Sequence, residues 1–128
     1  MPEPLPRGPR LVLDTNVVVA GLLWDGPPRQ LLKLAIGEAV ELYTSTLLLD
    51  ELTRTIAYSK FIARIERFGM TRDSLIAEYT ALVSRVNPVR IPRVSRDSDD
   101  DHVIACAIVA KVDAIVSGDK DLRVLCEL

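Results

Sequence analysis

The sequence predicts an α/β fold in which a small parallel sheet is flanked by helices on both faces. Three short runs, at residues 11–13, 40–44 and 114–117, are predicted strands, and the first is continuously apolar, as in the centre of a parallel sheet. Stretches with helical patterns separate these runs, and alternation of strands with helices is typical of a parallel sheet. The chain has 128 residues, so we expect a single domain over residues 10–128.

The composition is that of an ordinary soluble globular protein, with 48% apolar and 27% charged residues. Residues 1–9 hold four of the eight prolines and predict a flexible lead-in. No apolar run is long enough to span a membrane, and no signal core follows the first Met. Cys106 and Cys126 belong to no CxxC or Cys/His cluster, which predicts reduced thiols, no zinc site and a cytoplasmic location.

The first half of the chain gives clear signals for its early elements. The strand at residues 11–13 ends abruptly at Asp14, which places this aspartate at the carboxyl end of a strand. Pro27 and Pro28 suit the first turn of a helix, and Gly37 suits its end. The second strand follows at residues 40–44.

Two hydroxyl residues are placed to cap helices, because a serine or threonine oxygen accepts hydrogen bonds from the free N–H groups of a first helical turn. Ser45 precedes one such helix, and Thr71 precedes another. On the helix after Ser45, a stripe at helical spacing predicts a buried face formed by Leu48, Leu52 and Ile56.

The middle of the chain predicts two further helices and a strand. The helices cover residues 60–68 and 73–86. We expect the third strand within residues 89–94, where Pro88 and Pro92 make it an edge strand or a broken one.

The last elements are a helix and a strand. Residues 99–110 are apolar almost all round the helix, which predicts that the helix is buried. Residues 114–117 form the final strand, which ends in Gly118 and Asp119. Asp119 therefore lies, like Asp14, at the carboxyl edge of the predicted sheet.

Charge is unevenly distributed along the chain. Between residues 54 and 96, nine basic residues stand against three acidic ones, whereas seven aspartates stand against two lysines between residues 97 and 121. A basic flank beside an acidic pocket suits a polyanion held close to bound metal ions. Solvated helix faces explain the basic stretch equally well.

Helical geometry selects two more carboxylates. Glu51 lies beside the predicted buried stripe of its helix, whereas Asp50 points to the opposite side. In the run of acids that opens the later helix, Asp101 shares a face with three apolar residues, whereas Asp99 faces away and Asp100 lies to one flank. The three are Ile104, Ala105 and Ile108. We therefore expect Asp101 to be the inward member of the run.

These observations together predict a divalent metal site at the carboxyl edge, where open α/β sheets bind their ligands. Carboxylates on buried faces are costly unless they are paired, protonated or bound to metal. A site of oxygen ligands without His or Cys favours Mg²⁺ or Mn²⁺ over zinc. Such ions activate water and stabilise charge on a phosphate, so phosphodiester hydrolysis is the predicted chemistry.

Each acid also has a simpler interpretation. Asp14, followed by Thr15 and Asn16, could form a turn or a helix cap. Asp119 and Asp121 could belong to another turn, and the acids at residues 97–101 could complement a helix dipole. These interpretations do not explain why two of the acids fall beside buried helix faces.

The motifs that carry these acids resemble those of PIN-domain ribonucleases, in the branch that includes VapC-like toxins of type II toxin-antitoxin pairs. The resemblance extends from residue 10 to residue 125. LVLDTNVVVAGLL is similar to the family's opening strand and first helix, and TSTLLLDEL is similar to its glutamate-bearing helix. DSDDDHVIACAIVAKVDAIVSGDKDL, the most specific motif, resembles its closing helix, strand and acidic turn.

The resemblance implies a three-layer fold and a metal-binding catalytic quartet of Asp14, Glu51, Asp101 and Asp119. Asp121 is a candidate fifth ligand, and polar support would come from Thr15, Asn16 and Ser117. It also implies an Mg²⁺- or Mn²⁺-dependent endoribonuclease that cleaves RNA until a cognate antitoxin blocks its site. Homodimers are frequent in the family.

Two residues near the motifs attract a functional interpretation but fit a structural one better. His102 follows Asp101 but projects about 100° away around the helix, which favours a structural or solvent-facing role. Trp24 could stack on a nucleotide base. Packing of Trp24 at the end of the first helix is the simpler expectation.

Other function classes stay open at this point. A phosphatase with Asp14 as nucleophile would carry a second aspartate two residues on, where this chain has Asn16. A receiver-type phosphorylation domain would want a lysine at a late strand end, which residues 114–117 do not supply. The non-enzymatic alternative is a scaffold that binds RNA or a partner through its basic middle.

Overall fold

The computed structural model describes residues 8–87 and 98–117, with side chains in 8–87 and 102–117. The described elements, in chain order, are β1 (Arg10–Leu13), α1 (Thr15–Leu23), α2 (Pro27–Ile36), β2 (Glu41–Ser45), α3 (Thr46–Ile56), α4 (Ser59–Arg67), α5 (Arg72–Leu82), β3 (Ser84–Val86), α6 (Ser98–Ala110) and β4 (Ala114–Val116). The strands form a sheet in the order β3-β2-β1-β4, and every pairing is parallel. The predicted α/β fold is confirmed.

Two apolar clusters lie on opposite faces of this sheet. Successive side chains of a strand point to opposite faces. Leu11 and Leu13 of β1 accordingly join the larger cluster, and Val12 between them joins the smaller one. The larger cluster holds residues of α1, α2, α3, α4 and α5, and the smaller one is built mainly from α6 with Ile115 of β4. The sheet is therefore covered by helices on both sides.

The residues predicted to begin and end helices do so in the structure. The Ser45 side chain accepts a hydrogen bond from the Leu48 N–H at 3.2 Å, and Thr71 forms a reciprocal capping box with Ser74. Helix α2 begins at Pro27 and ends before Gly37. The left-handed backbone at this end belongs to Glu38, with φ of 62°, and not to the glycine.

The end of α5 differs from the prediction. Helix α5 was expected to continue to residue 86, but it ends at Leu82, and Val83 is extended. Residues Ser84–Val86 instead form β3, which pairs with β2 at the edge of the sheet. The buried stripe of α5 ends with Tyr79, and Val83 packs against the larger cluster in an extended conformation that leads into the strand. The strand predicted at residues 89–94 lies outside the described residues.

The prediction that the last helix is buried all round is wrong. Its buried face consists of Val103, Cys106, Ala107 and Ala110, which pack into the smaller cluster. On the other side, Ile108 and Val109 are 45% and 42% exposed. Among the described residues, the buried part of α6 is the stripe that packs into the smaller cluster. None of the described helices is long and apolar enough to cross a membrane.

Candidate functional site

The carboxyl ends of β1 and β4 bring Asp14 and Ser117 together. Leu13 pairs with Val116 in the parallel register, so the residues that follow them are neighbours. The Ser117 hydroxyl donates a hydrogen bond to Asp14 Oδ2 at 3.1 Å, and the Asp14 N–H donates to the Val116 carbonyl at 2.9 Å. Ser117 is buried and Asp14 is half-buried, so the carboxylate is fixed on the protein side while part of it reaches solvent.

Asp14 occupies the N-cap position of α1, but its side chain makes no capping hydrogen bond. Its backbone carbonyl accepts from the N–H groups of Val17 and Val18 at 3.0 and 3.1 Å. The carboxylate is turned instead toward Ser117. The interpretation of Asp14 as a side-chain cap is therefore not supported, and the positive end of the α1 dipole lies beside this carboxylate.

The other two residues of the DTN motif have different environments. Thr15 is only 5% exposed, whereas Asn16 is exposed. Thr15 thus contributes to the packing beneath the edge, and Asn16 stands at the solvent side of the same turn. Their supporting role toward a ligand stays a prediction.

Glu51 lies on α3, which begins at the carboxyl end of β2 and packs against α1 and α6. Its side chain is half-buried and its Oε2 atom is shielded from solvent, whereas Asp50 is exposed. Leu48, one turn earlier, belongs to the smaller cluster with α6, while Leu52 belongs to the larger one. Glu51 thus lies beside the buried stripe of its helix, between residues of the two clusters.

The direction of α6 relative to the strands places the backbone of Asp101 at the carboxyl edge of the sheet. Its C-terminal end leads to the amino edge of the sheet, where the Asp113 carboxylate accepts from the Arg10 N–H at 2.8 Å and the Asp113 N–H donates to the Arg10 carbonyl at 2.7 Å. The N-terminal turn, which contains Asp101, is therefore at the carboxyl end. The side chain of Asp101 and the whole of Asp119 and Asp121 lie outside the described residues.

The face that Asp101 was expected to share is less buried than predicted. Ile104 and Ala105 are half-buried, and Ile108 is exposed. The buried contacts instead come from nearly the opposite side of the helix, at residues 103, 106, 107 and 110. Asp101 is thus aligned with a flank that borders solvent, and the inward placement of its side chain stays a prediction.

Within the described residues, no group of three or more His, Cys, Asp or Glu side chains could hold a metal ion. Asp14 and Glu51 are the two predicted ligands whose side chains are described. Both offer oxygen donors, and among the described residues the side-chain partner of the Asp14 carboxylate is the neutral hydroxyl of Ser117. These donors fit a hard divalent cation such as Mg²⁺ or Mn²⁺.

A family model described as PIN domain matches residues 10–121. The chain belongs to the PIN-domain family. PIN domains are typically nucleases, and the four-stranded parallel sheet with helices on both faces is the three-layer fold expected of this one. The match begins with β1 and extends through the acidic segment that follows β4. A comparison with curated proteins gives no match.

Among the described residues of the PIN domain, a further polar contact at the carboxyl edge was not predicted from the sequence. The Thr46 hydroxyl donates to Asn87 Oδ1 at 3.1 Å, which joins the start of α3 to the end of β3. Asn87 follows residues 84–86, where the sequence predicted the end of a helix and the structure has β3. A polar residue between a strand and Pro88 is the signal that could have identified it.

His102 and Cys106 follow the predicted ligand Asp101 along α6. The Nδ1 atom of His102 is buried and has no hydrogen-bond partner among the described residues. Cys106 is a free, buried thiol, and burial raises its pKa from 9.0 to about 12. The thiol is therefore protonated and unreactive near neutral pH, as expected of a structural cysteine. Cys126 lies outside the described residues.

Proposed function

We propose that this PIN domain is an Mg²⁺- or Mn²⁺-dependent ribonuclease and the VapC-like toxin of a type II toxin-antitoxin pair. The observation that carries the proposal is the carboxylate of Asp14, held by Ser117 at the carboxyl edge of a parallel sheet. A carboxylate oriented by a hydrogen bond, half-buried and directed toward solvent, has the environment of a metal ligand. Asp14 lies where the carboxyl ends of β1 and β4 meet, and α/β folds bind their ligands at such strand ends.

The proposed metal ligands are Asp14, Glu51, Asp101 and Asp119, with Asp121 as a fifth. Support for the acids beyond the described side chains comes from the chain path. The first turn of α6 carries Asp101 at the carboxyl edge. Asp119 follows Ser117 by two residues, a span of at most about 7 Å. The chain path therefore allows Asp101 and Asp119 to lie near this edge.

In the proposed reaction each described residue has a limited task. A bound divalent ion would activate water and stabilise the charge that develops on the scissile phosphate. Ser117 fixes one oxygen of Asp14, so that the other remains available to a ligand. Glu51 approaches from α3 with a shielded oxygen, which lowers the screening of its charge by water. The N-terminus of α1 adds a positive dipole beside the phosphate.

The test is cleavage of a mixed panel of structured and single-stranded RNAs in Mg²⁺, in Mn²⁺ and in chelator. The Asp14→Asn variant keeps the shape of the side chain and removes its charge. Asp50→Asn, an exposed acid beside Glu51, is the matched control. We expect metal-dependent cleavage that is lost in Asp14→Asn and kept in Asp50→Asn. Unchanged cleavage by Asp14→Asn would refute the site, and RNA binding without any cleavage would favour the scaffold.

A cognate antitoxin is the proposed protein partner, and a groove away from the carboxyl edge supports such a partner. The groove, between α1, α2 and α5, has a volume of about 580 Å³. Its floor is apolar, with Leu32, Met70 and Leu75, and its rim carries Arg29 and Lys33. The product of the neighbouring open reading frame should abolish cleavage when mixed with the PIN domain. Undiminished cleavage in a stable mixture would count against the toxin role of this pair.

A homodimer is also proposed, and the exposed apolar flank of α6 supports it. Ile108 and Val109 leave apolar surface in water that a second copy could cover. We expect sedimentation equilibrium to give a dimer and Val109→Glu to give a monomer. A monomeric unmodified protein at micromolar concentration would contradict the dimer.

A further inference from the structure

Aromatic and basic side chains gather at the end of α1 that lies away from Asp14, where α4 packs against it. Hereafter the aromatic surface, this cluster consists of Trp24, Tyr58, Phe61, Arg64 and Phe68. Trp24 meets Phe61 edge to face with 6.0 Å between ring centroids, and Tyr58 stacks on Phe61 at 6.4 Å. Exposed fractions are 39% for Trp24, 54% for Tyr58 and 55% for Phe68, so large aromatic areas face solvent.

Arg64 holds this surface in place. Its Nε donates a hydrogen bond to the Leu23 carbonyl at 2.6 Å, which satisfies one of the free carbonyls at the end of α1. Its guanidinium carbon lies 4.5 Å from the Trp24 ring centroid and 4.9 Å from that of Phe68. One arginine therefore fixes two rings that α1 and α4 supply separately, and the surface is preorganised.

The charges around the rings favour an anionic partner. Lys60 Nζ lies 5.0 Å from the Phe61 ring centroid, and Arg67 follows Arg64 on the same helix. Against these three cations, α4 contains one acid, Glu66. Aromatic rings beside cations are the combination with which proteins bind single-stranded nucleic acid, since bases stack and phosphates are neutralised. A purely apolar peptide would leave these cations unused.

A narrow ridge of α1 connects the aromatic surface to the carboxyl edge. Asn16, Ala20 and Trp24 follow one another at i, i+4 and i+8, and they are the residues of this stretch that are not buried. With a rise of 1.5 Å per residue, Asn16 and Trp24 are about 12 Å apart along the helix. Bases stacked about 3.4 Å apart would cover this distance with roughly three to four nucleotides.

We propose that the aromatic surface binds single-stranded RNA a few nucleotides away from the bond that is cleaved. Bases stack on the exposed areas of Trp24, Tyr58 and Phe68, and phosphates contact Lys60 and Arg67. The position relative to the cleaved bond rests on the proposed ribonuclease function. The binding itself needs neither metal nor cleavage.

Trp24 is the single tryptophan of the chain, so its fluorescence reports on this surface directly. The experiment is a titration with a twelve-residue oligouridylate in chelator, where no metal-dependent cleavage takes place. We expect saturable quenching, with an affinity about tenfold weaker for Tyr58→Ala and for Phe68→Ala. Tyr58→Phe should bind like the unmodified protein, and Ile36→Ala, at an exposed position outside the surface, is the control.

Charge variants provide an independent measurement. Lys60→Gln and Arg67→Gln should each weaken binding and reduce its salt dependence, as expected when a phosphate contact is lost. The proposal is overturned if the oligonucleotide leaves Trp24 fluorescence unchanged. It is also overturned if the variants bind like the unmodified protein, or if a blunt RNA duplex binds equally well. Binding in chelator by a protein that never cleaves RNA would refute the ribonuclease and support this surface.

Discussion

Removal of the Ser117 hydroxyl tests whether the orientation of Asp14 matters for function. In Ser117→Ala the hydrogen bond to Asp14 Oδ2, 3.1 Å long in the structure, is lost while the backbone pairing of β4 with β1 is kept. A hydrogen bond to a charged group contributes about 1.5 to 3 kcal/mol. Because Asp14 is half-buried, water can replace the hydroxyl in part, and we expect a loss near the lower limit.

The expected result for Ser117→Ala is a cleavage rate about tenfold lower, the equivalent of ~1.4 kcal/mol. KM should change less than kcat, because the change affects the orientation of a ligand and not the binding of RNA. The midpoint of thermal unfolding should fall by only a few degrees, since about 1 kcal/mol shifts a domain of this size by roughly 4 °C. The assay is steady-state cleavage of one RNA in Mg²⁺, with a thermal melt of each protein.

Ser117→Thr is the matched control, since it keeps a hydroxyl at the same position. We expect it to retain most of the activity that the alanine variant loses. Equal rates for the unmodified protein and Ser117→Ala would refute the orienting role. A threonine variant that melts normally but is as slow as the alanine variant would show that the hydroxyl is not what matters.

Three further predictions concern the fold. Ser45→Ala should lower the free energy of unfolding in urea by about 1 kcal/mol, because the Leu48 N–H loses its acceptor. An unchanged free energy of unfolding would mean that water caps α3 equally well. Ile56→Ala, at a fully buried position of the larger cluster, should cost about 2 to 5 kcal/mol in the same assay, and a loss below about 1 kcal/mol would contradict the packing described. In a Cys126→Ser protein, Cys106 of the folded state should react with a disulfide reagent at pH 8 on the order of a hundredfold more slowly than Cys106 of the unfolded state. The reason is that the raised pKa of the buried thiol leaves little thiolate. The reaction rate of the folded protein should rise as the pH approaches the Cys106 pKa of about 12. Fast reaction of the folded protein at pH 8 would contradict the burial of the thiol.

Local signals explain why most elements could be predicted from the sequence. Ser45 and Thr71 cap the helices they precede, and Pro27 opens α2, because each acts on the turn next to it. The strand β3 was not predicted, because three residues at a sheet edge carry little signal of their own and the helical pattern was extended through them. Its pairing with β2 depends on where α5 ends, which is set by contacts distant in sequence.

The candidate site was predictable as far as sheet geometry determines it. Asp14 and Ser117 are 103 residues apart, yet the ends of neighbouring parallel strands must meet, and the structure joins them by a hydrogen bond. Trp24 shows the limit of local reasoning. The sequence indicated a residue that packs at the end of a helix, but the arginine and the aromatic rings that surround it come from α4.

The measurement that tests the central claim most directly is Mg²⁺-dependent RNA cleavage by two neighbouring variants, Glu51→Gln and Asp50→Asn. The two acids are adjacent on α3, but Glu51 is half-buried at the proposed metal site and Asp50 is exposed. We predict that Glu51→Gln lowers the cleavage rate at least about a hundredfold, an effect of the size of a lost transition-state contact. Asp50→Asn should cleave at the rate of the unmodified protein. Equal rates for the two variants would contradict a metal-dependent nuclease centre at this edge of the sheet.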